Sequence, residues 1–165
     1  MKSRAESLSD IIVQSSHNAI IVVDNDMIIQ EFNPVANQMF NGTGSPIGKP
    51  LSRYIDPSLF KRVWEEKEEI RHHKVEYEEY ELITDQTIFP LEEYGVIVGI
   101  FTDKTAQEQQ KEEMREMKQM AADKAADVVH KQMEIVQEIA GLLGETTVET
   151  KTALYELTEL IQEGD

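Results

Sequence analysis

The residues best equipped for chemistry in this 165-residue chain are its histidines, and two are adjacent, His72-His73. An imidazole facing an apolar pocket can hold a haem iron, and imidazoles also suit other transition metals. Successive side chains on an extended strand point to opposite faces, so only one of the pair can turn inward. Glu68, Glu69, Arg71 and Lys74 flank them, which equally describes an exposed strand entrance. His130 lies in a helical stretch, as a phosphoacceptor or as an ordinary surface histidine. Asp24, Asp26, Asp56, Asp85 and Asp103 fall at expected turns and caps, where Asp is favoured for its local hydrogen bonds. Neither His-Glu-x-x-His nor a phosphate-binding loop occurs. The chain has no cysteine, which removes disulfides, thiolate-held metals and clusters, thiol nucleophiles and flavin–cysteinyl photochemistry. The Glu-rich runs 65–69 and 76–81 read as solvated faces, and Met114, Met117, Met120 and Met133 as packing. No catalytic residue is expected.

Charge narrows the partners. Sixteen basic against thirty-two acidic residues leave a net charge of −16 and a pI near 4.6. Nucleic-acid backbones and anionic membranes both draw on basic patches, so neither is an expected partner. The longest apolar run, 19–23, is far short of the roughly 20 residues of a span, and no signal-peptide hydrophobic region opens the chain. A cytoplasmic location is expected. Apolar residues make up 40% and charged residues 29%, with a mean hydropathy of −0.44. One small domain with exposed helices fits that balance.

The positioning elements follow from local patterns. Ser3-x-x-Glu6 is a capping box ahead of Leu8, Ile11, Ile12 and Val13, and predicts an N-terminal helix within 1–17. Runs 19–23 and 27–32 around Asp24-Asn25-Asp26 predict a hairpin. Asn33-Pro34 opens a short helix ending at Asn41-Gly42, with Asn as cap and Pro at the first helical position. Asp56-Pro57 repeats that start for a helix whose inward face carries Leu59, Phe60, Val63, Trp64 and Ile70. Strands are expected over 75–80, 82–89 and 96–102. The result is an α+β domain over 18–105, a five-stranded antiparallel sheet with helices on one face. A pocket between the layers would be lined by Ile21, Val23, Ile29, Phe32, Met39, Phe60, Val63, Trp64, Ile88, Val98 and Ile100. The same residues are needed to fill the core.

Beyond Thr105 the composition changes. Thr105-x-x-Glu108 reads as a capping box, and neither Pro nor Gly follows until Gly141. A helix is expected over 106–143, and the roughly 36 residues from Thr105 to the residue before Gly141 would alone run about 54 Å at about 1.5 Å per residue. Met114, Met117, Ala121, Ala125, Val128, Gln132, Val136, Ile139 and Leu143 recur at steps of 3, 4 and 4, a nearly straight seam. Val129, Met133, Ile135, Ala140 and Leu142 add a second row. Gly141 and Gly144 are expected to break the helix, and Thr146-x-x-Glu149 to cap a last helix over 146–162. That gives a helical hairpin with too thin a core for one chain, so a homodimer is expected through Val128, Met133, Val136, Ile139 and Leu143.

Residues 8–105 resemble a PAS domain. The likeness rests on the opening hairpin, on Asn33-Pro34-x-Ala36-x-x-x-Phe40, on Ile47-Gly48-Lys49-Pro50-Leu51 and on the last strand running into Asp103-Lys104-Thr105. Many PAS domains carry Asp-Ile-Thr there; Lys104 replaces the apolar residue, which implies a looser join. The resemblance implies a sensor that passes a core change through Asp103, Lys104 and Thr105 to the helices. His72 and His73 lie close to where haem-binding PAS domains place an axial histidine. Haem held by one of them, with Trp64, Phe32 and Ile88 around it, is therefore the alternative to a cofactor-free core that takes no ligand or an unidentified small one.

The tail has a narrower likeness. His130-Lys131-Gln132-Met133 and the run from Gln137 to Lys151 resemble the segment after the PAS domain in iron-only-hydrogenase-like sensory proteins of anaerobic bacteria. In those, an iron–sulfur, hydrogenase-like part precedes the PAS domain, so this chain is expected to be an excised sensory module without that activity. A second alternative is a histidine-kinase dimerisation fragment phosphorylated on His130. Lys131 stands where such kinases carry an acidic residue, and no helix-bending Pro follows.

Overall fold

Alternation of period two builds the sheet. β1 (Ala19–Asp24) buries Ala19, Ile21 and Val23 and half-exposes the residues between them. The structure, a computed structural model, describes residues 8–163, the side chains of 146 and 147 excepted. The capping box at Ser3 and Glu6 lies outside the described residues, and α1 is Leu8–Ser15. β1 turns through Asp24, whose carboxylate accepts the N–H groups of Asp26 and Ile28, into β2 (Ile29–Phe32). The expected hairpin forms, with the regular strand starting two residues late because Met27 adopts a positive φ of 64°.

Asn33 caps α2 (Pro34–Met39) as expected, its Oδ1 accepting from Ala36 N at 3.0 Å. The same oxygen accepts from Ile20 N, while Nδ2 donates to Val13 O and Asn18 O. One buried amide therefore ties α1, β1 and α2 together. A single 3-10 turn over Leu51–Arg53 leads to α3 (Ser58–Glu66), where Asp56 Oδ1 accepts from Ser58 N. β3 (Ile70–Tyr77), β4 (Leu82–Leu91) and β5 (Val96–Asp103) complete the sheet in the order β2-β1-β5-β4-β3, all antiparallel. α2 packs on β1, and α3 on β4 and β5.

Three expectations change here. β3 begins at Ile70, five residues earlier than read, and ends at Tyr77. Ile70 therefore belongs to a strand, paired with Ile88, and the two histidines sit inside that strand. β5 presents Ile97, Gly99 and Phe101 inward, so Val98 and Ile100 face away from the core. The reason is Gly99, where a Cβ would meet Phe60 Cζ at 2.5 Å. Lacking one, the strand leaves room for the Phe60 ring to stack 6.3 Å from that of Phe101.

The third change concerns the tail. One helix, α4 (Thr105–Glu163), replaces the expected hairpin and runs through Gly141 and Gly144. Each glycine costs an interior helix only about 1 kcal/mol, and neither has a positive φ. Ala140, Leu142, Leu143 and Glu145 around them favour the helix. The described chain to Lys111 forms one compact unit and that from Glu112 a second. In the second, every residue with a described side chain is exposed.

Candidate functional site

The end of β5 and the start of α4 are held by side chains and backbone together. Asp103 Oδ1 accepts the Thr105 N–H at 2.9 Å and the Thr105 hydroxyl at 2.6 Å. Thr105 Oγ1 in turn accepts from Ile83 N at 3.0 Å, and Lys104 N donates to Ile83 O at 2.8 Å. Both backbone groups of Ile83, on β4, are thus spent on the junction. Lys104 takes part through its backbone, so the loss of the usual apolar side chain removes none of these bonds.

Glu108 plays a different part from the capping box read in the sequence. Asp103 already receives the Thr105 N–H, which frees the Glu108 carboxylate for other partners. It accepts from Lys74 Nζ at 2.5 Å and from Lys111 Nζ at 2.9 Å. These bonds, that of Lys74 first, hold its pKa down at about 2. Lys74 lies on β3, so the first turn of α4 is bound to two strands. The sequence offers Lys74 only as a flank of the histidine pair and Glu108 only as a capping residue; that the two meet depends on strand register.

Behind the junction lies a buried polar group on the inner face of β4. Gln86 Nε2 donates to Tyr77 Oη at 2.6 Å and to Thr84 Oγ1 at 3.0 Å, and the Thr84 hydroxyl donates to Val75 O at 3.3 Å. Burial pushes the Tyr77 phenol up to about 12 and raises Tyr80, whose hydroxyl donates to Tyr54 O. Phe40 meets Tyr77, Tyr80 and Phe101 edge-on, with ring centroids 5.4–5.5 Å apart. A groove of about 510 Å³ opens beside this cluster, lined by Arg53, Tyr54, Asp56, Tyr77, Glu79 and Tyr80 among others. Thr84 pairs with Asp103 and immediately follows Ile83, so the cluster and the junction share one stretch of β4.

The residues considered for a cofactor fall in different surroundings. Phe32 and Ile88 are buried in the core, Phe32 against the Tyr54 ring. Trp64 is half-buried and carries Lys67 Nζ 3.3 Å from its ring centroid. His73 is exposed and stands opposite Gln86. His72 occupies a bulge with φ 49°, its side chain 83% exposed and its Nδ1 3.0 Å from Asp85 Oδ2. Among the described residues no group of three or more His, Asp or Glu is placed to share a metal ion.

In the second unit, Val128, Met133, Val136, Ile139 and Leu143 are 51–63% exposed. His130 Nε2 stands 3.5 Å from Glu134 Oε1 on the same helix. No helix among the described residues is long and apolar enough to cross a membrane.

The PAS fold family model matches residues 10–98, more than half of the chain. The PAS domain of nitrogen regulation protein NR(II) from Vibrio parahaemolyticus is 17% identical with a TM-score of 0.48, over 59% of this chain and 98% of that one. The PAS domain of an HTR-like protein from Haloarcula marismortui is 16% identical with a TM-score of 0.43, over 58% and 88%. That of BvgS from Bordetella pertussis is 18% identical with a TM-score of 0.42, over 67% and 90%. No curated protein matches the chain.

Proposed function

This chain belongs to the PAS family, and on that footing we propose that it is a non-catalytic sensory module. In this reading it dimerises through α4 and relays a change in its core to that helix. The observation that carries the relay is the junction, where Thr105, Lys104 and Glu108 bind the start of α4 to Ile83 and Lys74. A shift of β3 against β4, made by a ligand in the groove or by a change in the Gln86 cluster, moves the partners of the first helical turn. The sensor thereby has two arrangements for a signal to bias.

Dimerisation is supported by the apolar residues of the second unit. Burying a large apolar side chain is worth about 1.5–3 kcal/mol, so leaving Val128, Met133, Val136, Ile139 and Leu143 in water is costly. A second copy covers them while the glutamates stay outside. The net charge of −16 opposes the pairing, so salt strengthens it by screening. Light scattering at low and moderate salt tests this, together with Val136→Asp and Ile139→Asp. A dimer that either substitution dissolves is expected; a monomer at micromolar concentration in both salts overturns the reading.

The module works without haem in this reading, because the His72 ring is engaged by Asp85 at the surface. A Soret band in the purified protein, lost in His72→Ala or His73→Ala, would overturn that. The likeness of the tail to hydrogenase-like sensory proteins supports an iron–sulfur domain of a parent protein as the partner whose state is reported, in the cytoplasm.

A further inference from the structure

The first stretch of α4 draws its apolar residues from one type. Between Thr105 and Asp127 the large apolar side chains are Met114, Met117 and Met120. From Val128 to Ile161 the same size class is filled by Val, Ile, Leu and Tyr, with Met133 the single methionine. Leucine forms helices as well as methionine does and packs as well, so neither the helix nor packing accounts for the choice. What methionine adds is a thioether sulfur.

The three recur at steps of three residues, and are 54%, 61% and 57% exposed. Residues three apart are neighbours on a helix surface, about 5–6 Å between Cβ atoms. A methionine side chain turns about three bonds, so the sulfurs of such a pair can close on one ion from the same helix. Met117 belongs to both pairs. Met114 and Met120 are six residues apart, about 9 Å along the axis, and make no pair of their own. Charge favours the second pair. Glu113 and Glu116 stand four residues before Met117 and Met120, on the same surface rows, against Lys124 four residues after Met120. The first pair has Glu113 against Lys118. Arg115 is turned to Glu112, with two hydrogen bonds at 3.1 and 2.6 Å.

We propose that Met117 and Met120 form a binding site for a soft monovalent cation, Cu(I), with Met114 as an exchangeable third sulfur. Thioethers select Cu(I), whereas zinc and the other divalent metals favour imidazole and carboxylate. The chain has no cysteine, so no thiolate of its own competes for a soft ion. Both carboxylates offset the single positive charge. Binding leaves the ion as Cu(I), and no electron transfer is involved. Since both sulfurs belong to one helix, the site does not depend on the dimer reading above.

Two readings of the full chain test it under anaerobic conditions, competition with bicinchoninate for Cu(I) and the carbon-13 methyl signals of the methionines. The methyls of Met117 and Met120 should shift on adding Cu(I) or Ag(I), those of Met27 and Met133 should stay, and Zn(II) should move none. Met117→Leu and Met120→Leu should each weaken the competition about ten-fold or more, because the second sulfur binds as an intramolecular partner. Met133→Leu should leave it unchanged. The methyl shifts are read in the unaltered protein, so the test holds even if a variant loses its helix. Cu(I) held as tightly after both substitutions overturns the site. So do methionine methyls that stay in place while the ring signals of His72 and His73 move.

Discussion

The ammonium of Lys74 lies 2.5 Å from the carboxylate of Glu108, joining an edge strand to the first turn of a helix 34 residues later. Backbone bonds from Lys104 and a hydroxyl bond from Thr105 fix the same turn to β4. The start of α4 is therefore bonded to two neighbouring strands at once.

Glu108→Gln keeps the shape of that side chain and removes its charge. Hydrogen exchange of the amides of residues 105–111 should then quicken several-fold, with little change in the core strands. In the unaltered protein the carboxylate titrates at about 2 against an ordinary 4.5, held down first by Lys74 and then by Lys111. A depressed carboxylate stabilises the folded state fully above 4.5 and loses that contribution as pH falls toward 2. Exchange at these amides should accordingly be insensitive to the pairing between pH 5 and 8, and a protection step there near neutral pH would count against it.

Tyr77 gives the opposite pH signature. Burial raises its phenol to about 12 from 10, so the neutral form is the one the fold favours. Stability it supplies is complete below pH 10 and disappears as pH rises through 12. An ultraviolet titration should show a phenol ionising near pH 12, and Tyr77→Phe should remove it. That substitution also deprives the buried Gln86 amide of an acceptor, at about 1–3 kcal/mol by urea unfolding. A titration in which no phenol ionises that late would contradict the burial.

Gly99→Ala should destabilise the domain by about 1–3 kcal/mol, since its Cβ would stand 2.5 Å from Phe60 Cζ and 2.9 Å from Phe101 Cε2. Adding Phe60→Leu should recover part of the loss. Thermal unfolding of both variants checks this, and an alanine variant as stable as the parent would mean the Phe60 ring has space to move.

What was legible in the sequence was local. Asn33-Pro34 and the alternation over β1 encode their structure within a few residues, because a cap and a pleat need no distant partner. The inward phase of β5 is hidden in the sequence because 96–101 is apolar on both faces; the Phe60 ring over Gly99 decides which side is in. Gly141 and Gly144 suggest a break in α4, but their cost is small against the good helix formers beside them. The bulge at His72 and the use of Glu108 depend on Asp85 and Lys74, partners set by strand register rather than by neighbours in the chain. Asp103, Lys104 and Thr105 stand out in the sequence itself; that Lys104 and Thr105 bond the Ile83 backbone depends on strand register.

Hydrogen exchange in Gln86→Leu reads whether a change in the core reaches the start of α4, as proposed above. Leucine fills much the same space but releases Tyr77 and Thr84, with no atom of residue 86 bonded to the junction. Faster exchange is expected at residues 105–111 as well as in β3 and β4. Altered exchange in the two strands with residues 105–111 unchanged would contradict it.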